Sequence, residues 1–149
     1  MAHFQSPPKF RSRAISRTDK EVSIEKLLFR STAERKVVVL GGWGGVHTSA
    51  HEDSLVQLQS LDVFKAQVTH AVEGGADHII AIGSQAEYRK GRVRSGGLNY
   101  ERAKIEASEF LRQMSEPAGI RANWVRVFSI YGKGMDSRWL LPRLIYSCI

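Results

Sequence analysis

Hydrophobic positions along this chain recur in a fixed order. Val37-Val38-Val39-Leu40 is a short β-branched run closed by Gly41-Gly42, which predicts a buried parallel strand. From Ser54 to Glu73 the period becomes 3.6. Leu58, Leu61, Lys65, Val68 and Val72 share one face with Phe64 beside it, and that predicts a helix. Lys65 is expected to snorkel at the edge of the face, and Gly74-Gly75 stops the helix. His78-Ile79-Ile80-Ala81-Ile82 predicts a second buried strand, ended by Gly83-Ser84. A polar, basic loop spans Arg89 to Gly97. Tyr100 to Met114 is again helix-like, with Ala103, Ala107, Leu111 and Met114 on one stripe, and Pro117-Ala118-Gly119 breaks it. Asn123 to Phe128 predicts a third strand, and Trp139 to Tyr146 a last short helix. Strand, helix, strand, helix, strand implies parallel strands with right-handed crossovers: an open α/β sheet with flanking helices.

Upstream, residues 1–30 read as a basic tail, mobile over 1–13, with one short amphipathic helix from Ser23 to Arg30 through Ile24, Leu27 and Leu28. This tail holds seven basic and three acidic side chains, so more than half of the chain's net +7 sits there. The body is only mildly basic. Nucleic-acid binding through the tail and the Arg89–Arg94 loop is therefore a remote alternative, without interleaved aromatic and basic residues to support it. At 149 residues and 42% hydrophobic, the chain is long enough for one domain that needs no disulfide or metal staple. The single cysteine, Cys148, forms no internal pair, and a reducing, cytoplasmic setting is expected. No apolar run reaches the ~18 residues of a membrane span, and no secretory signal opens the chain. His47, His51, His70 and His78 lack metal-site pairing, so no metal site is expected.

In an open α/β sheet, sites form at the carboxyl ends of the strands. Three strand ends here deliver Gly41-Gly42, Ser84 and Phe128-Ser129. The second helix delivers Tyr100 and Lys104, four apart and hence on one helix face. A tyrosine with its ordinary pKa of about 10 is too weak a base at neutral pH. A nearby ammonium favours the phenolate and would lower that value. A serine hydroxyl can share the same substrate proton. The three together could move a proton at a substrate oxygen while a hydride moves at its carbon.

The ordered set Gly83-Ser84-Gln85-Ala86-Glu87-Tyr88, then Tyr100 and Lys104, then Arg126-Val127-Phe128-Ser129-Ile130-Tyr131-Gly132 resembles the extended short-chain dehydrogenase/reductases. The specific likeness is to their NAD-dependent epimerase/dehydratase branch, which acts on nucleotide sugars, and it covers about residues 37–145. The resemblance implies a partial Rossmann-like, NAD(P)-binding domain over 31–149. It implies an epimerase or reductase with a nucleotide-sugar substrate and NAD or NADP as cofactor. Tyr100 would be the acid/base, Lys104 its partner and a nicotinamide-ribose ligand, and Ser84 the donor to the substrate oxygen. Gly41, Gly42 and Phe128, with Tyr100 and Lys104, would border the cofactor. Gln85, Glu87 and Ser129, with Ser84, would face the substrate.

The sequence also departs from that family. No Gly-x-x-Gly-x-x-Gly stands in residues 1–36, so the cradle that seats a pyrophosphate at a helix N-terminus is missing. Gly41-Gly42-Trp43-Gly44-Gly45 with Asp62 offers a rival phosphate loop, but His47 stands at the third glycine position and Asp62 falls inside a helical pattern. Gln85-Ala86 replaces the Asp-Glu pair of sugar dehydratases, which argues for epimerisation or carbonyl reduction. A second reading follows: a truncated, catalytically silent relative that acts only as a homo-oligomer or with a complementing chain. Arg126 is expected to pair with a carboxylate, and Trp43 to pack within its loop.

Overall fold

The computed structural model describes residues 35–44, 50, 52–88, 99–128, 132 and 147. Three strands form one parallel sheet in the order β1-β2-β3: β1 is Val37–Leu40, β2 is His78–Ser84 and β3 is Arg121–Val127. Helix α1 (Ser54–Glu73) joins β1 to β2, and helix α2 (Tyr100–Ser115) lies between β2 and β3. A 3-10 turn over Gln85–Tyr88 follows β2 directly. The expected α/β order is present. The tail, the Ser23–Arg30 helix, His47, His51, the Arg89–Gly97 loop, Ser129, the Trp139–Tyr146 helix and Cys148 lie outside the described residues. Among the described residues, no helix is long and apolar enough to cross a membrane.

Both helices start and stop by local chemistry. The Asp53 carboxylate accepts from the Leu55 and Val56 amides, and the Asn99 side-chain oxygen accepts from Arg102 N–H at 3.0 Å, so each N-terminus has a side-chain cap. A glycine with positive φ follows each helix, Gly75 at +72° just after α1 and Gly119 at +66° one turn past α2. Paired backbone bonds close both ends in the same way, Ala76 N–H to Ala71 and Gly75 N–H to Val72, then Ile120 N–H to Ser115 and Gly119 N–H to Glu116.

The helices pack on each other and on one face of the sheet. Leu40, Ile79 and Ala81 meet Leu61, Phe64, Val68 and Ala71 of α1 and Ala107 and Leu111 of α2. Between the helices, Lys65 Nζ donates to Glu106 at 2.6 Å and lies 5.6 Å from the Phe110 ring centre, as a snorkelling lysine does.

Two expectations of burial are corrected. The buried stripe of α1 runs through Gln57, Leu61, Phe64, Val68 and Ala71, while Leu58 is exposed. The amide of Gln57 makes this possible: its nitrogen donates to the Ala50 carbonyl and its oxygen accepts from Trp43, so the polar group is buried at no unmet cost. The second correction concerns β1, expected to be buried on both faces. Its Val37 and Val39, with Val125 of β3, are exposed, because both described helices cover the other side.

Candidate active site

The carboxyl end of β2 is the meeting point. Ser84 closes the strand, and Tyr100 opens α2 directly after its Asn99 cap. The Ser84 hydroxyl accepts the Ala86 amide at 3.2 Å. The same hydroxyl acts on the Tyr100 phenol, whose pKa it pulls down. One helical turn on, Lys104 shares the inner face of α2 and is 4% exposed; Tyr100 is 7% exposed. The structure therefore gathers Ser84, Tyr100 and Lys104 around one point.

Lys104 sits in an aromatic box. Its ammonium donates to the Ile82 carbonyl at 2.8 Å and lies 4.0 Å from the Trp43 ring centre, 5.6 Å from that of Trp124 and 5.9 Å from that of Tyr100. Ring faces attract the cation. Trp43 is fixed in turn by its bond to Gln57, a tilted contact with Phe64 and an edge contact with Tyr100. Burial lowers the Lys104 pKa to about 8, against an opposing pull from Glu87. At neutral pH the ammonium is still mostly charged.

Tyr100 does not show the expected lowering of its pKa. Burial pushes the phenol above its ordinary value, the Ser84 hydroxyl pulls it back, and Glu87 and Glu101 push it up again. The reason is placement: the ammonium is turned toward the Ile82 carbonyl and the tryptophan faces, and desolvation of a phenolate dominates.

Other expected site residues are more dispersed. Glu87 was expected to face substrate; its side chain is instead only 2% exposed and paired with Arg126 of β3. That pair meets the expectation for Arg126. Gln85 is exposed on the 3-10 turn. Phe128 lies just past β3, 61% exposed and stacked on Tyr88 with ring centres 6.1 Å apart, and Arg126 covers the Tyr88 ring at 4.9 Å. Gly41 and Gly42 are exposed beyond β1, and a Cβ on Gly42 would meet nothing within 4 Å. Asp62 sits within α1, not at a strand end, which removes the rival phosphate loop's ribose acid. A groove of about 390 Å³ between α2 and β3 is lined by Leu111, Arg112, Ile120, Trp124 and Arg126, and not by Ser84, Tyr100 or Lys104. Among the described residues, no cluster of His, Cys, Asp and Glu is placed to hold a metal ion.

For the nicotinamide dinucleotide that the resemblance implies, donor chemistry is the test. An ammonium carries three N–H donors, and the Ile82 carbonyl takes one of those on Lys104; two remain for a ribose diol. The open space over Gly42 leaves its backbone approachable. The Trp43 indole lies over the ammonium, so a ribose reaches Lys104 only when that ring moves.

Sequence reasoning missed the box and the Glu87 contacts. Trp43 just past β1 and Trp124 within β3 were a signal for the first, but nothing local marked the residues 37 and 39 positions away that Glu87 binds. No protein-family model, curated protein or solved structure matches this chain.

Proposed function

We propose that the chain carries the acid–base site of an NAD(P)-dependent nucleotide-sugar epimerase or reductase, within part of a Rossmann-like sheet. The observation that supports this reading is the placement of Ser84 at the end of β2, where its hydroxyl acts on the Tyr100 phenol, with Lys104 one turn further along α2. A raised phenol pKa keeps Tyr100 protonated at neutral pH. Tyr100 is thus poised to give a proton to a substrate carbonyl oxygen, with Ser84 donating to the same oxygen and Lys104 holding positive charge nearby. When bound, the dinucleotide supplies hydride chemistry at the neighbouring carbon. Lys104 would hold its ribose, with the exposed Gly41-Gly42 backbone alongside. The proposed setting is cytoplasmic, with a second copy or complementing chain as partner.

The test is turnover of UDP-, GDP- and dTDP-sugars with NAD+ or NADP+, followed by absorbance at 340 nm and by NMR of the sugar. Tyr100→Phe is expected to lower the rate by about 10²-fold or more with an unchanged circular dichroism spectrum. Equal rates in wild type and variant would overturn the reading.

The closure of Trp43 over Lys104 favours a second reading, a catalytically silent relative. Calorimetry with NAD+ and NADP+ separates the two. Micromolar binding that strengthens in Trp43→Ala supports the enzyme. No binding by either protein supports silence.

A further inference from the structure

We propose that Glu87 is the positioning residue of this site: its buried carboxylate fixes the Ser84 end of β2 to β3 and holds negative charge against Trp124, the ring that walls Lys104. The inference rests on the acid–base reading above and adds a residue to it.

Three donors make four hydrogen bonds to this carboxylate. Oε1 accepts the Ser84 amide at 2.6 Å, and Oε2 accepts Arg126 Nε at 2.6 Å. Trp124 Nε1 reaches both oxygens, at 3.1 and 2.9 Å. A carboxylate with a 2% exposed side chain is stable only when its lone pairs are met in this way. Each donor leads to a part of the site. The Ser84 amide belongs to the residue whose hydroxyl acts on the Tyr100 phenol. Trp124 forms one wall of the Lys104 box and packs edge-on against Phe64 of α1 at 5.8 Å. Arg126 reaches on to the Tyr88 hydroxyl at 3.4 Å. Gly83 shows how tight this arrangement is, since a Cβ there would strike Trp124 and come within 2.7 Å of Glu87 Oε1.

The charge matters as well as the shape. Lys104 is held between ring faces, and Glu87 is the carboxylate that acts on it, opposing the effect of burial. The ionisable groups around the pair are Tyr100 and Glu101 of α2, Tyr88 on the 3-10 turn and Arg126 of β3. With Glu87 neutral, Arg126 keeps its charge, and only the Ile82 carbonyl and the ring faces remain against desolvation at Lys104.

Glu87→Gln preserves the volume and an oxygen acceptor for the Ser84 amide while removing the charge. NMR of ¹³Cε-labelled lysine reads Lys104, and the amide proton shift of Ser84 reads its bond. The expected result is a Lys104 titration below the wild-type midpoint, with an upfield shift of the Ser84 amide. Neither readout needs turnover, so failure of the functional reading appears separately, as an active Tyr100→Phe. Where turnover is seen, Glu87→Gln is expected to lower kcat about tenfold or more with little change in KM, as misplacement of a catalytic group does. A purely structural Glu87 would change thermal stability alone. An unmoved Lys104 titration together with an unmoved Ser84 amide would overturn the proposal.

Discussion

Lys104 is held charged in a place where charge is disfavoured, and this has a pH signature. Its midpoint is about 8 in the folded protein against 10.5 for an ordinary lysine. Between those values the unfolded chain binds more protons than the folded one, so stability rises with pH across that window. Lys104→Met removes the titrating group. Urea melts from about pH 6 to pH 10.5 are therefore expected to show the stability difference constant below about pH 7 and moving in favour of wild type above about pH 8. A parallel shift in both proteins would mean that Lys104 titrates elsewhere. The same midpoint bears on activity: if the ammonium assists Tyr100, the rate falls as pH rises through about 8. Gly83 offers a steric counterpart. Gly83→Ala drives a methyl group into the Trp124 indole and the Glu87 carboxylate, and overpacking of this kind costs about 1–3 kcal/mol. A melt within a few tenths of a kcal/mol of wild type would show that Trp124 moves aside freely.

At the scale of elements, what the sequence made legible was what local chemistry decides. Pattern predicts the helix starts at Ser54 and Tyr100 and the stop at Gly74-Gly75, while the Asp53 and Asn99 caps that fix those starts come from the structure. Each cap acts within a few residues, so the pattern suffices to place the boundary. The face that α1 buries was not legible in the same way. Gln57 counts as polar on any scale, yet Trp43 and Ala50 satisfy its amide, and those partners become neighbours only in the fold. Exposure of Val37 and Val39 depends likewise on where the helices lie. In the site, the serine, the tyrosine and the lysine could be read from their positions at a strand end and on one helix. The lysine's aromatic walls come from β1's following loop and from β3, and so could not. The Asn99 cap carries a prediction that joins both levels, because it starts the helix at Tyr100 itself. Asn99→Ala is expected to destabilise by about 1 kcal/mol and to weaken the Tyr100–Ser84 contact, while Asn99→Asp restores the cap. Thermal melts check the first effect. The ultraviolet titration of Tyr100 checks the second, since loss of the serine donor raises its midpoint further.

For the whole molecule, the site and the core are one structure. Phe64 packs on Trp43 and on Trp124, those two rings enclose Lys104, and Phe64 also belongs to the cluster that joins α1 to the sheet. The strand that ends in Ser84 is the central one, bonded to β1 on one side and β3 on the other. Opening the site thus requires disturbing contacts that also hold the helices down, and the surroundings of Trp43 and Trp124 are lost when the core is lost. Two observables follow. Tryptophan fluorescence and far-ultraviolet circular dichroism should trace the same urea transition, as expected of a single cooperative unit. In native-state hydrogen exchange, the amides of Ile79 to Ile82 should be the last of the sheet to exchange and those of the four-residue β1 earlier, because β2 alone is paired on both edges among the described strands. Comparing Glu87→Gln with wild type extends the same argument. If that carboxylate ties the end of β2 to β3, the variant's protection should fall first at Ser84 and Gly83 and persist at Ile79. Uniform loss along β2 would mean that the site end of the strand has no separate fastening.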